Sequence, residues 1–106
     1  MAQVRVITER HPEEMEKSVN KFIQEHENID IIQYKTMSQF AALTAIVYDV
    51  TEKGELANSK IKIFTGQKNA ELEAQMNEFL EGKKFIDIQT EIVNEYEISY
   101  MIIYEE

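Results

Sequence analysis

Val4-Arg5-Val6-Ile7-Thr8 is matched, fifty-seven positions further on, by Ile61-Lys62-Ile63-Phe64-Thr65. Both read apolar, basic, apolar, apolar, threonine. Continuing without a gap, Glu14, Glu16, Asn20 and Phe22 fall on Glu71, Glu73, Asn77 and Phe79. Met15, Val19 and Ile23 fall on Leu72, Met76 and Leu80, and Ile29-Asp30-Ile31 on Ile86-Asp87-Ile88. After the loss of one residue in the following turn, Ile46-Val47-Tyr48-Asp49 falls on Ile102-Ile103-Tyr104-Glu105. Identity, apolar period and order agree from end to end, so the chain is a tandem duplication.

Each copy reads as β-α-β-β. Residues around 3–8 and 60–65 are short β-branched runs, hence strands. Met15, Val19, Phe22, Ile23 and His26 recur at steps of three and four and mark an amphipathic helix near 12–26. Pro12 suits its first turn and Glu13-Glu14 complement the dipole there. Leu72, Met76, Phe79 and Leu80 repeat the stripe near 70–81, with Asn69 as N-cap and Gly82 as the residue that ends the helix. Strands near 29–36 and 41–50 are echoed near 86–93 and 96–104. The segment Phe40 to Tyr48 is apolar on both faces, as a central strand would be. A right-handed β-α-β crossover leaves room for it between its parallel neighbours, which gives the order 1-3-2 in each copy.

The expectation is therefore one α+β domain over residues 1–106, with internal repeats at about 3–50 and 60–106. Two half-ferredoxin-like units would join edge to edge into one antiparallel/mixed six-stranded sheet with two helices on one face. Thr51-Glu52-Lys53-Gly54-Glu55 reads as the crossing between copies. If Val4, Val6, Ile61 and Ile63 look toward the helices, Ile7 and Phe64 look away. The central strands add either Leu43, Ala45, Val47, Met101 and Ile103 to that far face, or Thr44, Ile46, Tyr48, Tyr100, Ile102 and Tyr104. Either set is apolar, and two helices cannot cover both faces of six strands. The surplus face points to a homo-oligomer or to another protein.

The composition narrows the function. At 106 residues with hydrophobic content of 43%, the chain can build one core. Cysteine is absent, which removes disulfides, thiolate chemistry and cysteine-ligated zinc. The start of the chain lacks a signal-peptide core and no apolar run reaches membrane-spanning length, so a cytoplasmic protein is expected. A net charge of -9, with most of the excess in the second half, repels phosphate backbones and anionic lipid. No direct nucleic-acid or membrane binding is expected. An acidic decoy for another protein's basic groove is the sharper reading of that charge, and Glu91, Glu95 and Glu97 are its candidates.

Candidate chemistry is thin. The counterparts of His11 and His26 in the other copy are Lys68 and Lys83, and no His/Asp/Glu set has ligand spacing, so no metal site is assigned. Asp30 and Asp87 recur between isoleucines and read as charges that keep a strand soluble. Asn20 and Asn77 sit at the edge of the helix stripe, where a hydrogen bond from helix to loop accounts for them. Tyr48 and Tyr104 recur near a strand end. With Tyr100 they could stack on a planar nucleotide- or flavin-like ligand at an oligomer interface, with Arg5, Lys62, Lys35 and Arg10 as cationic partners. There is no P-loop, dinucleotide fingerprint, nucleophile elbow or HExxH, and Ser18, Ser38, Ser59 and Ser99 have no His-Asp context. No catalytic residue and no cofactor are assigned.

The pattern Val4-Arg5-Val6, Met15 to Ile23, Ile29-Asp30-Ile31 and Ala45-Ile46-Val47-Tyr48 resembles a family of small acidic, sporulation-specific, sigma-E-controlled proteins of spore-forming bacteria and their phages. Members look like one such unit. The second copy carries the pattern through Ile61-Lys62-Ile63, Asn77-Glu78-Phe79-Leu80, Ile86-Asp87-Ile88 and Ile102-Ile103-Tyr104. The resemblance implies no activity and no functional residues; the fusion implies that a unit which normally pairs with itself is here one chain. The expected function is a non-enzymatic interaction protein, as a phage-encoded inhibitor of a host factor or a sporulation-associated adaptor. Its candidate surface takes in Ile7, Phe64, Tyr48, Tyr100, Tyr104, Glu91, Glu95 and Glu97.

Overall fold

A computed structural model describes all residues except 27, 39–40, 50–52 and 68–69, and for 37 and 38 the backbone alone. The expected Asn69 cap, Lys68, Phe40, Thr51 and Glu52 therefore lie outside the described residues. The chain runs β1 (Ala2–Glu9), α1 (Pro12–Glu25), β2 (Ile29–Ser38), β3 (Ala41–Asp49), β4 (Lys60–Gln67), α2 (Ala70–Leu80), β5 (Lys84–Ile92) and β6 (Glu97–Glu105). Pro12 opens α1, where its missing N–H is no loss. Gly82 turns the chain out of α2 at φ 74, a left-handed conformation that a Cβ would strain.

Two tandem β-α-β-β units are present, each with its third strand central: β1-β3-β2 and β4-β6-β5, all pairs antiparallel. They do not fuse into one six-stranded sheet. β2 and β5 run alongside each other, but the contacts between them are made by side chains, and two three-stranded sheets result. Nor do the helices share a face of one sheet. α1 packs against β1 and β3 of the first sheet and, still more closely, against β4 of the second. Helix α2 lies on the opposite face of the second sheet, where Phe79 meets Phe64 and Tyr104 edge-on. α1 thus joins both sheets, lying on the β1/β3 face of the first and along the β4 edge of the second, while β2 of the first meets β5 of the second directly.

The core is shared between the units. Met15 and Val19 of α1, Ile32 and Ile46 of the first sheet, and Ile61, Ile63, Met101 and Ile103 of the second form one buried cluster. The link between units passes over the start of β2, where the Leu56 N–H donates to the Ile29 carbonyl at 2.8 Å.

The register corrects one expected correspondence. Ile29 opposes Tyr48 and Phe85 opposes Tyr104, so β2 maps onto β5 with a shift of fifty-six, not fifty-seven. The missing residue therefore falls before β5, and a slip of one residue exchanges the faces of a strand. Asp30 sits in the bulge between Ile29 and Ile31, whereas Asp87 opposes Ile103; they do not occupy equivalent places. Gln33 and Gln89 do.

Candidate interaction surface

The seam between the units is built from side chains that satisfy the backbone of a strand edge. β4 is an edge strand, and its free groups would otherwise be open to pairing. Asn20 of α1 closes that edge: its Nδ2 donates to the Ile61 carbonyl at 3.0 Å, and the Ile61 N–H donates to its Oδ1 at 2.7 Å. Four residues earlier on α1, Glu16 accepts from the Ile63 N–H at 2.6 Å and lies 3.7 Å from the Lys62 ammonium. The α-helical period of 3.6 places the two polar groups on one face, in step with alternate strand residues.

Across the other side of the seam, the Gln89 amide bridges β2. Its Oε1 accepts from the Tyr34 N–H at 2.6 Å and its Nε2 donates to the Ile32 carbonyl. Those two groups flank Gln33, and a residue of a parallel strand would bind the same pair. Glu91 adds an acceptor for the Thr36 N–H at 3.2 Å and pairs with Lys35 at 3.4 Å. Inside, the Tyr34 hydroxyl, Ser99 and Thr65 form a chain of hydroxyls with both links at 2.8 Å. Burial, the largest effect, raises the Tyr34 pKa; the Glu91 charge adds to this and the Ser99 hydrogen bond opposes it.

Tyr34→Phe should cost about 0.5–1.5 kcal/mol at neutral pH, the ordinary worth of one such bond. Because the folded state holds the phenol above the unfolded value of ~10, its contribution is complete below that pH and is lost as pH rises through the folded pKa. Urea unfolding at pH 8 and pH 11 checks both points. The alkaline loss should be smaller in Tyr34→Phe than in the parent; an equal loss would place the titration elsewhere.

The outer face of the first sheet has no cover among the described residues. Val4, Val6 and Ile31 are 62%, 57% and 48% exposed, with half-buried Leu43, Ala45 and Val47 between them. In the second sheet the corresponding face holds Ile61 at 1%, Ile63 at 6% and Met101 at 0%, because α1 and the first sheet cover it. The face set expected from the sequence is thus the one with Leu43, Ala45, Val47, Met101 and Ile103, open in one copy and filled in the other. The direction assumed for β1 is reversed. Ile7 packs toward the core beneath α1 and Phe64 toward α2, while Val4 and Val6 look outward.

The other candidates scatter. Tyr48 packs edge-on to Phe22 and His26 within the first unit, its hydroxyl donating to Gln3. Tyr104 is buried against Phe79, and burial raises its pKa, helped by Glu106 and Glu16. Tyr100, half-buried, opposes Phe64 on β4. The three tyrosines do not converge on one cleft. Lys62 and Lys35 are engaged with Glu16 and Glu91, and Arg5 lies over the Phe22 ring. Glu91 belongs to the seam, Glu97 accepts from Asn94 at 3.0 Å, and Glu95 is exposed in the β5–β6 turn. His26 stacks on Phe22 and bonds its carbonyl.

Among the described residues no group of three or more His, Cys, Asp or Glu could hold a metal ion, and no helix is long and apolar enough to cross a membrane. The sequence assigns Val4 and Val6 to the helix side and does not single out Ile31, because alternation defines two faces but not which one α1 takes. No protein-family model, no curated protein and no solved structure matches the chain significantly.

Proposed function

We propose that this protein is a non-enzymatic, cytoplasmic interaction protein whose binding surface is the open β1-β3-β2 face. One observation carries this reading. Val4, Val6 and Ile31 form the edge of an exposed apolar face on a molecule that buries the corresponding face of its second unit. Monomers rarely leave contiguous apolar area of this kind open. A sporulation-associated adaptor and a phage-encoded inhibitor of a host factor are the two settings that the sequence resemblance supports.

A photo-crosslinking residue placed at Val6 tests the surface in cells. Irradiation should yield a covalent protein adduct from Val6 and none from the same residue at Lys17, which is exposed on α1, the helix that packs on the opposite side of the first sheet. No adduct at Val6 would overturn the reading.

A further inference from the structure

We infer that the occupant of the open face is the second unit of another copy of this chain, seated as the first unit sits on the second within one molecule. The inference rests on the proposed role of that face and names its partner. Its warrant is that both halves of the internal seam recur on the surface.

The receiving half comes first. Val4, Arg5 and Val6 stand on edge strand β1 where Ile61, Lys62 and Ile63 stand on β4, with the same register to the central strand. Gln33 stands where Gln89 does. The inserting half lies on the second unit. Asn77 and Glu73 of α2 are the counterparts of Asn20 and Glu16, and both are exposed. Neither side chain makes a hydrogen bond or ion pair among the described residues. Ile88, the counterpart of Ile32, is 40% exposed, against 2% for Ile32, whose cover is the second sheet. Ile92, the counterpart of Thr36, is 66% exposed. Four of the eight exposed large apolar residues among those described, Val4, Val6, Ile88 and Ile92, thus belong to one half or the other of an interface the molecule already makes once.

Transferring the internal contacts gives a definite pairing. Asn77 of one copy would close the Val4 N–H and C=O of the next. Glu73 would accept from the Val6 N–H and pair with Arg5, as Glu16 does with Ile63 and Lys62. Gln33 would bridge the Ile88 carbonyl and the Thr90 N–H. The apolar layer is Val4, Val6, Ala45 and Val47 in place of Ile61, Ile63, Met101 and Ile103. The contact is head-to-tail, since the two surfaces differ, and it adds molecules in one direction or closes them into a ring.

The test separates head from tail. Val6→Asp blocks the sheet face, and Asn77→Arg with Ile88→Asp blocks the helix end; all three positions are exposed or partly so in the monomer, so folding should survive and circular dichroism verifies it. By native mass spectrometry and sedimentation, the parent should exceed the mass of one chain. Each blocked variant alone should be a monomer, and a 1:1 mixture should give a species of two chains and nothing larger. Glu73→Arg should weaken assembly and Arg5→Glu in the same chain should restore it. A monomeric parent, or a helix-end variant that still assembles, would overturn the inference. If the Val6 crosslink then carries a different protein, the interaction reading stands without self-assembly; if Val6 forms no adduct, both fall.

Discussion

Asn20→Ala should destabilise the folded chain by about 2–4 kcal/mol, while Asn77→Ala in the same molecule should leave it within about 0.5 kcal/mol. Asn20 satisfies both the N–H and the carbonyl of Ile61, at a residue 1% exposed. Removing the amide leaves two edge groups of β4 facing alanine, and each unmet buried group costs about 1–3 kcal/mol. Asn77 occupies the same helix position in its unit but points to solvent. Alanine there removes no bond in the isolated chain and is a better helix former. Urea unfolding at low protein concentration, where no assembly contributes, gives both values. Equal costs for the two substitutions would mean that the seam is not what Asn20 serves.

Gly54→Ala is expected to cost about 3 kcal/mol or more, at the upper end of what overpacking does. A Cβ at Gly54 would lie 2.1 Å from the Ile29 carbonyl oxygen and 2.4 Å from its carbon, both backbone atoms that cannot swing aside. That carbonyl also holds the Leu56 N–H, so moving the link away breaks the bond that anchors it to β2. Gly82→Ala provides the contrast. It meets nothing within 4 Å but carries φ +74, so its cost should be the backbone term alone, about 1 kcal/mol. Thermal and urea denaturation of the two variants separate contact from conformation.

The sequence disclosed the repeat unit, its element types and its strand order because each depends on local period. Met15, Val19, Phe22 and Ile23 spell a helix at once, and an apolar third strand flanked by a crossover has one place to go. What it concealed depends on single residues acting at a distance. The lost residue before β5 is invisible to alignment by Ile-Asp-Ile, and it moved Asp87 off the place of Asp30. The division into two sheets turns on Gln89, whose side chain does at β2 what a neighbouring backbone would have done. Nothing in a lone glutamine announces that. Likewise, Asn20 reads as a helix-to-loop bond and serves a strand edge in the other copy. Recurrence did flag it. The exposed Val4 and Val6 were hidden by symmetry: their counterparts are buried, and an alternation pattern reads the same in both.

Helix α1 packs against both sheets and α2 against one, and this places unequal limits on how far the twin segments can drift. Four residues of α1 are buried and one of α2. A substitution on α1 has two neighbours to satisfy; the same change on α2 mostly meets water. Most of the outer side of α2 is therefore free to diverge, as Ala74 in place of Lys17 and Gln75 in place of Ser18 illustrate. Against that latitude, Glu73 and Asn77 still match Glu16 and Asn20 letter for letter. Those two matches are the ones that the proposed contact between copies would preserve.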